Sequence, residues 1–275
     1  MANKNITHKQ HYLPQMYLKF FTYDVSGDQV WTMNSFLSIK SRHLEEICYK
    51  KDIYEFQNIN ISKNIVEDLY GKLENYFAPR LKQIILKIEN KKTLNKDEIR
   101  DLYAFYQTLF YRHPYILEFG STELVNLNLV NHMTLAQNVI RTLGSFNLNL
   151  LVDQLLKTHK LKIGINNTEI PFIISNFPFN MEPRNKCFGD QRLYLPLTPK
   201  IMMMFIPQKI HKHFSNYEVF NNAEFDLFNF LSCNRQLNQD FLLISNSKET
   251  LEYYKNSDDF QKDCKELIEA RRNQK

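Results

Sequence analysis

Three stretches of the chain carry side chains able to move a proton or hold an anion. The first is His8-x-x-His11-Tyr-Leu-Pro-Gln15. Imidazole titrates nearest neutrality, so His11 suits general acid or base work. Gln15 shares a face with His11 if the segment is helical, where its amide would hold the ring's tautomer or a substrate oxygen. Pro14 argues for an extended Leu13 instead, which directs the two side chains apart. The second is His132, at helical spacing with Val125, Leu129, Ala136 and Val139, an imidazole in an apolar stripe that must find a hydrogen-bond partner. The third is Gln107-x-x-x-Tyr111-Arg112-His113-Pro114. A helix through Leu102, Phe105, Leu109 and Phe110 delivers Arg112 to its C-terminal end, where the dipole favours a cation and a guanidinium can fork onto a phosphate or carboxylate. The competing reading of Arg112 is a structural ion pair with Glu74 or Glu67. His211-x-His213 would put both rings on one side of a strand, but it lies among Lys209, Lys212 and Ser215, and two ligands do not make a zinc site. No metal is expected there.

Composition narrows what these groups could do. The six glycines in 275 residues, Gly27, Gly71, Gly120, Gly144, Gly164 and Gly189, are never closer than twenty positions apart. No glycine-rich dinucleotide turn, phosphate loop or nucleophile elbow can be written, so a phosphate would have to be held by side chains. Thirty-five Lys and Arg against thirty Asp and Glu leave a net charge of +5, a mild bias toward polyanions whose sharpest local excess is Arg271, Arg272 and Lys275. The four cysteines, Cys48, Cys187, Cys233 and Cys264, are too far apart for zinc or redox spacing and read as free thiols. The polar N-terminus lacks a signal core, and the longest apolar run, Ile201 to Ile206, is too short to span a bilayer. The expectation is a cytoplasmic protein that uses no cofactor and does not engage the membrane.

The elements that would position the candidates follow from periodicity. Gln29 to Met33 alternates as a strand, and Lys40 to Phe56 holds further extended stretches. Asn64-x-x-Glu67 reads as a capping box opening a helix with Ile65, Leu69, Leu73, Tyr76, Phe77, Leu81, Ile84 and Ile88 on one face, kinked or broken near Ala78 by Pro79. A second box, Asn95-x-x-Glu98, opens a helix through Tyr111. A third helix runs from Ser121 or Thr122 through Leu143 with Gly144 as its stop, and another reaches Lys157. The period then falls to two. Leu161 to Ile165 and Ile170 to Ser175 read as a hairpin about Asn166-Asn167, and Leu193 to Phe205 as two strands parted by Pro196 and Pro199. Residues 222–240 look helical, Phe241 to Ser245 extended, and 248–272 a charged helix. The predicted architecture is α+β and predominantly helical: a central helical bundle with a small antiparallel β-region from the N-terminal segment and the 160–206 hairpins. Residues 1–250 would form one compact domain, with 251–275 a charged C-terminal helix or tail.

Beyond these patterns, His11-Tyr-Leu-Pro-Gln15-Met-Tyr-Leu18 resembles the H-Y-x-P-Q-x-Y-L opening of a bacterial family catalogued as a domain of unknown function. In the same order, Lys51-Asp52-Ile-Tyr54 resembles its K-D-F-Y, and Glu67 with Glu74-x-x-x-Ala78-Pro79 its paired glutamates before A-P. Gln107 with Arg112-x-Pro114 is similar to its Q-x-x-R-x-P segment, and Leu195 to Pro199 to its L-P-L-S-P, with a weaker match at Asn229. The family's S-D-N-P is Ser175-Asn176-Phe177-Pro178 here, without the aspartate. The resemblance implies an abortive-infection effector of phage defence with RNA as substrate and a phage protein as trigger. On it, the polar groups His11, Gln15, Asp52, Glu74, Arg112 and His132 are expected to converge, because unpaired buried charge is costly. Convergence would make either a site or a structural network. The expected site is a metal-independent ribonuclease, with His11 and His132 as base and acid, Arg112 on the phosphorane and Gln15 orienting. Asp52, Tyr54, Glu74 and Gln107 would contact substrate. The alternatives are a non-enzymatic binder of RNA or a phage protein, and a metal-dependent nuclease using Asp52, Glu67 and Glu74.

Overall fold

A computed structural model describes residues 7–56, 64–182, 188–213, 215–220, 241–258, 260–262 and 265. The helix expected over 222–240, Asn229, Cys187, Cys233, Cys264 and the basic tail residues lie outside them. The chain is α+β and folds as two compact units, each drawn from two stretches: Met1–Met16 with Cys48–Lys157, and Tyr17–Ile47 with Thr158–Lys275. Because each unit closes through sequence-distant segments, no composition break marks the division.

The first unit carries the candidate site. Strand β1 (Lys9–His11) pairs antiparallel with β4 (Tyr49–Lys51), strands being numbered in chain order. After α1 (Gln15–Leu18), a single turn in which the chain passes to the second unit, the helices of the first are α2 (Ile65–Glu89), α3 (Lys96–Arg112), α4 (Pro114–Asn126), α5 (Met133–Phe146) and α6 (Leu148–Thr158). Of the two predicted capping boxes, that of α3 forms in full. The Asn95 side chain accepts the Glu98 amide at 2.9 Å and Glu98 accepts the Asn95 amide at 2.9 Å, worth about 1 kcal/mol. The box at α2 does not form, because Asn64 adopts a left-handed conformation and its Oδ1 accepts the Thr7 amide instead. Nor does Pro79 break α2. It sits on the exposed side, so the carbonyl it frees faces water. The buried face of α2 is rotated from the predicted one over its first turns: Val66 and Tyr70 are enclosed along with the predicted Phe77, whereas Ile65 and Tyr76 are exposed.

The helix predicted from residue 121 to 143 is two helices. Leu127 to His132 form the connection, with Asn128 in the left-handed region, and Gly144 lies inside α5 and does not end it. Asn147 is the C-terminal cap.

The second unit holds most of the β-region expected of the fold, in two sheets. One sheet has the order β10-β5-β9-β8-β7 and another β3-β2-β11-β6, built from β2 (Gln29–Asn34), β3 (Ile39–His43), β5 (His159–Asn166), β6 (Ile174–Ser175), β7 (Asn180–Glu182), β8 (Arg192–Thr198), β9 (Ile201–Pro207), β10 (Tyr217–Phe220) and β11 (Leu242–Ser245). The hairpin expected about Asn166-Asn167 is absent. The Asn166 side chain accepts Thr168 N and Oγ1 and donates to the Ile170 and Pro199 carbonyls, turning the chain away. Strand β5 pairs with β9 and, in parallel, β10, whereas Ile174–Ser175 joins β11. Strand β9 is buried along its length, with Met202, Met204 and Ile206 packed on Phe172, Tyr194 and Phe220. Helix α7 (Lys248–Lys255) is capped by Ser247, whose Oγ accepts the Thr250 amide at 3.0 Å. Leu251, Tyr254 and Phe260 pack on Met33, Ile173 and Leu243, so this part of the predicted tail belongs to a core.

Candidate functional site: a buried arginine clamp

Arg112 is the last residue of α3, and the apolar face behind it, with Leu102, Phe105, Tyr106 and Leu109, carries its side chain into the interior. Only 1% of that side chain is exposed. Its Nη1 donates to Glu74 of α2 at 2.8 Å, its Nε to the Tyr54 hydroxyl at 3.1 Å, and its Nη2 to the His11 carbonyl. Tyr54 Oη shares its own proton between the His11 and Arg112 carbonyls, at 3.1 and 3.2 Å. The Tyr70 ring of α2 lies under the guanidinium, 4.6 Å from its carbon, a cation–π contact favoured by desolvation. Burial works against the charge on Arg112, but Tyr54 and the Glu74 carboxylate more than restore it, and its pKa is held above the usual value. One side chain thus ties the N-terminal strand, the segment after β4, α2 and α3.

Of the six groups expected to converge, His11, Glu74 and Arg112 meet here, joined by Tyr54. The contribution of His11 to this contact is its carbonyl. Its ring lies beside Tyr49, 5.8 Å between centroids. Asp52 stands at the edge of the cluster with a left-handed backbone, its carboxylate taken by His8 at 2.7 Å. Gln107 is buried and spends its amide on the Leu151 carbonyl of α6 at 3.1 Å. Gln15 opens α1, half-buried. His132 departs most from expectation. It is exposed, not part of an apolar stripe, because the helix that would have carried the stripe ends at Asn126; its ring caps α5 by accepting the Leu135 amide. His211 and His213 occupy a short 3-10 turn, and His211 Nδ1 bonds the Gln208 carbonyl at 2.8 Å. Among the described residues no three His, Cys, Asp or Glu side chains gather as a metal site would need.

Two parts of the site escape a reading of the sequence. Tyr70 is legible in principle, since it lies three residues after Glu67 and four before Glu74, on one helical face. The second is a neighbouring network. Gln10 is wholly enclosed, accepts the Tyr54 amide at 2.8 Å and donates to Glu55 at 3.2 Å, which accepts the Asn64 amide at 3.3 Å. No periodicity reports such side-chain-to-backbone bonds.

Glu67 is the carboxyl of the group whose titration the fold displaces most. One carboxylate oxygen is buried with no hydrogen-bond partner among the described residues. Burial pushes its pKa up to about 7; Arg112 pulls it down, and Glu74, Asp68 and Glu55 push it up. A carboxyl whose folded pKa is raised favours the fold while protonated, so stability falls as pH rises from about 4.5 to about 7. Glu67→Gln should therefore match the wild type at about pH 4, below the unfolded pKa, and exceed it at about pH 8 by about 1–2 kcal/mol, after discounting the shift for partial exposure. Urea denaturation at the two pH values checks this. An equal difference at both would exclude titration of Glu67 as its source.

Fold and site together define an α+β protein of two units, one of them cross-tied by a wholly buried arginine. The chain belongs to the family described as "Protein of unknown function (DUF4238)", which matches it over residues 9–249. No curated protein and no solved structure matches the chain. Among the described residues no helix is long and apolar enough to cross a membrane.

Proposed function

We propose that the protein is a phage-defence effector that works by binding RNA, its Arg112 cluster serving as a structural clamp. The observation that carries this is the commitment of Arg112: Nε, Nη1 and Nη2 each donate within the cluster, and only 1% of the side chain is exposed. A guanidinium meant for a phosphorane needs open donors facing the reacting phosphate. His132 at an exposed helix start also removes the support for a two-histidine acid–base pair. The defence role rests on the resemblance of the ordered motifs to a family with which AbiB-type abortive-infection proteins are associated, and RNA as partner on that resemblance and the net charge of +5.

Glu67 favours a second reading, in which the chain cleaves RNA. A half-buried carboxyl near neutrality is suited to removing a proton from a ribose 2′-hydroxyl. The metal-dependent variant is less favoured, since Asp52 is taken by His8 and Glu74 by Arg112. Purified protein incubated with total RNA, with and without EDTA, separates the three. Binding without shortening of the RNA is the expected result. Cleavage lost in Glu67→Gln but indifferent to EDTA would establish the second reading, and cleavage abolished by EDTA the third.

A further inference from the structure

Strands β1 and β4 form a two-stranded ribbon in which Lys9 stands directly opposite Lys51. Side chains so paired have Cβ atoms about 4.5–5.5 Å apart, and like charges there destabilise the ribbon. The register is not free to slip. Gln10, between Lys9 and His11, is locked inward by the Tyr54 amide and Glu55. The ribbon is extended at both ends by backbone bonds, Tyr12 N to Cys48 O at 2.9 Å and Asp52 N to His8 O at 3.0 Å. With position 10 inward, alternation puts Lys9, His11, Tyr49 and Lys51 on the opposite face. Lys9 and Lys51 are exposed, as are Tyr49 and Lys50. Among the described residues none of these three lysines has a carboxylate partner. The nearest acids are spent elsewhere, Asp52 on His8 and Glu55 on Gln10 and Asn64. The strand is bounded by left-handed backbone at Cys48 and Asp52, φ 55° and 52°, strain that persists only where its surroundings enforce it.

A cross-strand pair of cations that the fold enforces and leaves uncompensated is satisfied by an anion. Beside it stands an aromatic ring. The Lys9 ammonium lies 4.3 Å from the centroid of Tyr49, which is 42% exposed. A pair of cations side by side across the ribbon, with an exposed ring two residues further along the same face, suits a phosphate whose neighbouring base is free to stack, which is a single strand. We propose that the Lys9, Tyr49 and Lys51 face of this ribbon holds single-stranded RNA by its phosphates, with a base against Tyr49. This rests on the RNA-binding reading above and locates the surface that reading requires.

The test is fluorescence anisotropy of the full chain with a labelled single-stranded RNA across a salt series. The doubly reversed variant Lys9→Glu/Lys51→Glu should bind at least about tenfold more weakly, with a log affinity–log salt slope shallower by about one per lysine. Tyr49→Ala should lose about fivefold. Lys72→Glu and Lys82→Glu, exposed on α2, should each bind as the unaltered protein does. Circular dichroism confirms that the variants fold. If the unaltered protein binds no RNA, the functional reading and this surface fall together. If it binds and the ribbon variants match it, the surface alone is wrong. Poly-glutamate bound as tightly through the same lysines would overturn the assignment to a nucleic acid.

Discussion

Arg112→Ala is expected to cost about 3–5 kcal/mol, the range for breaking a buried ion pair by deleting one partner. That is a large share of the 5–15 kcal/mol, roughly, that holds an ordinary domain. The deletion takes a donor from three acceptors at once, the Glu74 carboxylate, the Tyr54 hydroxyl and the His11 carbonyl, and leaves the last only its share of the Tyr54 proton. It also empties the space over Tyr70. Lysine does not restore the arrangement, since one ammonium cannot reproduce a planar fork with donors on three nitrogens aimed at three segments. Arg112→Lys should therefore recover only a minor part of the loss. Glu74→Ala should be costly as well, because it leaves a buried cation without its counter-charge. Thermal unfolding followed by circular dichroism gives the ranking. Were Arg112 a catalytic group instead, Arg112→Ala would keep the wild-type melting temperature and lose only activity.

That contrast shows what the sequence can and cannot convey. The position of Arg112 is legible, because a helix with apolar residues at 102, 105 and 109 must deliver residue 112 at its end, and Glu74 stands among its expected partners. Whether its donors are open is not legible, since that depends on Tyr54 and the His11 carbonyl, which approach from 58 and 101 residues away. His132 misleads for a different reason. The apolar spacing from Val125 to Val139 fits one helix, yet Leu127 and Leu129 are exposed and the backbone turns left-handed at Asn128. Periodicity records which residues are apolar, not whether a neighbour exists to bury them. The Asn64 box is lost to competition, its side chain serving Thr7 and not its own helix. The Asn95 side chain stays with its own helix, accepting the Glu98 amide, and its box forms as the sequence spells it. In the second unit, β8 and β9 are legible from Pro199, which falls between them, whereas Pro196, expected to part them too, lies inside β8 where its register with β9 shifts. The partners of β5 are not, because nothing local in Asn166-Asn167 specifies a strand that returns from residue 201.

Gly144 gives the second large expected effect, and it connects the scarcity of glycine to the clamp. A Cβ placed there would lie 2.6 Å from the Cβ of Tyr111 and 3.4 Å from both the Tyr111 carbonyl and the Tyr70 hydroxyl. The obstruction is next to the backbone of α3, so no rotamer change relieves it and the two helices must part. Alanine gains up to about 1 kcal/mol in helix propensity over glycine, whereas overpacking costs about 1–3 kcal/mol. Gly144→Ala should therefore be destabilising by about 1–2 kcal/mol, and Gly144→Val, with no propensity gain of that size to offset it, by about 3 kcal/mol. The displaced Tyr70 lies under Arg112, so these variants should also weaken the coupling between Arg112 and Glu74 in a double-mutant cycle. Gly71 supplies the opposite sign from the same substitution. It lies in α2, and a Cβ added there would meet nothing within 4 Å, so Gly71→Ala should gain about 0.5–1 kcal/mol from propensity alone. Urea midpoints for Gly71→Ala and Gly144→Ala should fall on either side of the wild type. Midpoints that both rise would mean α3 and α5 do not cross closely at Tyr111.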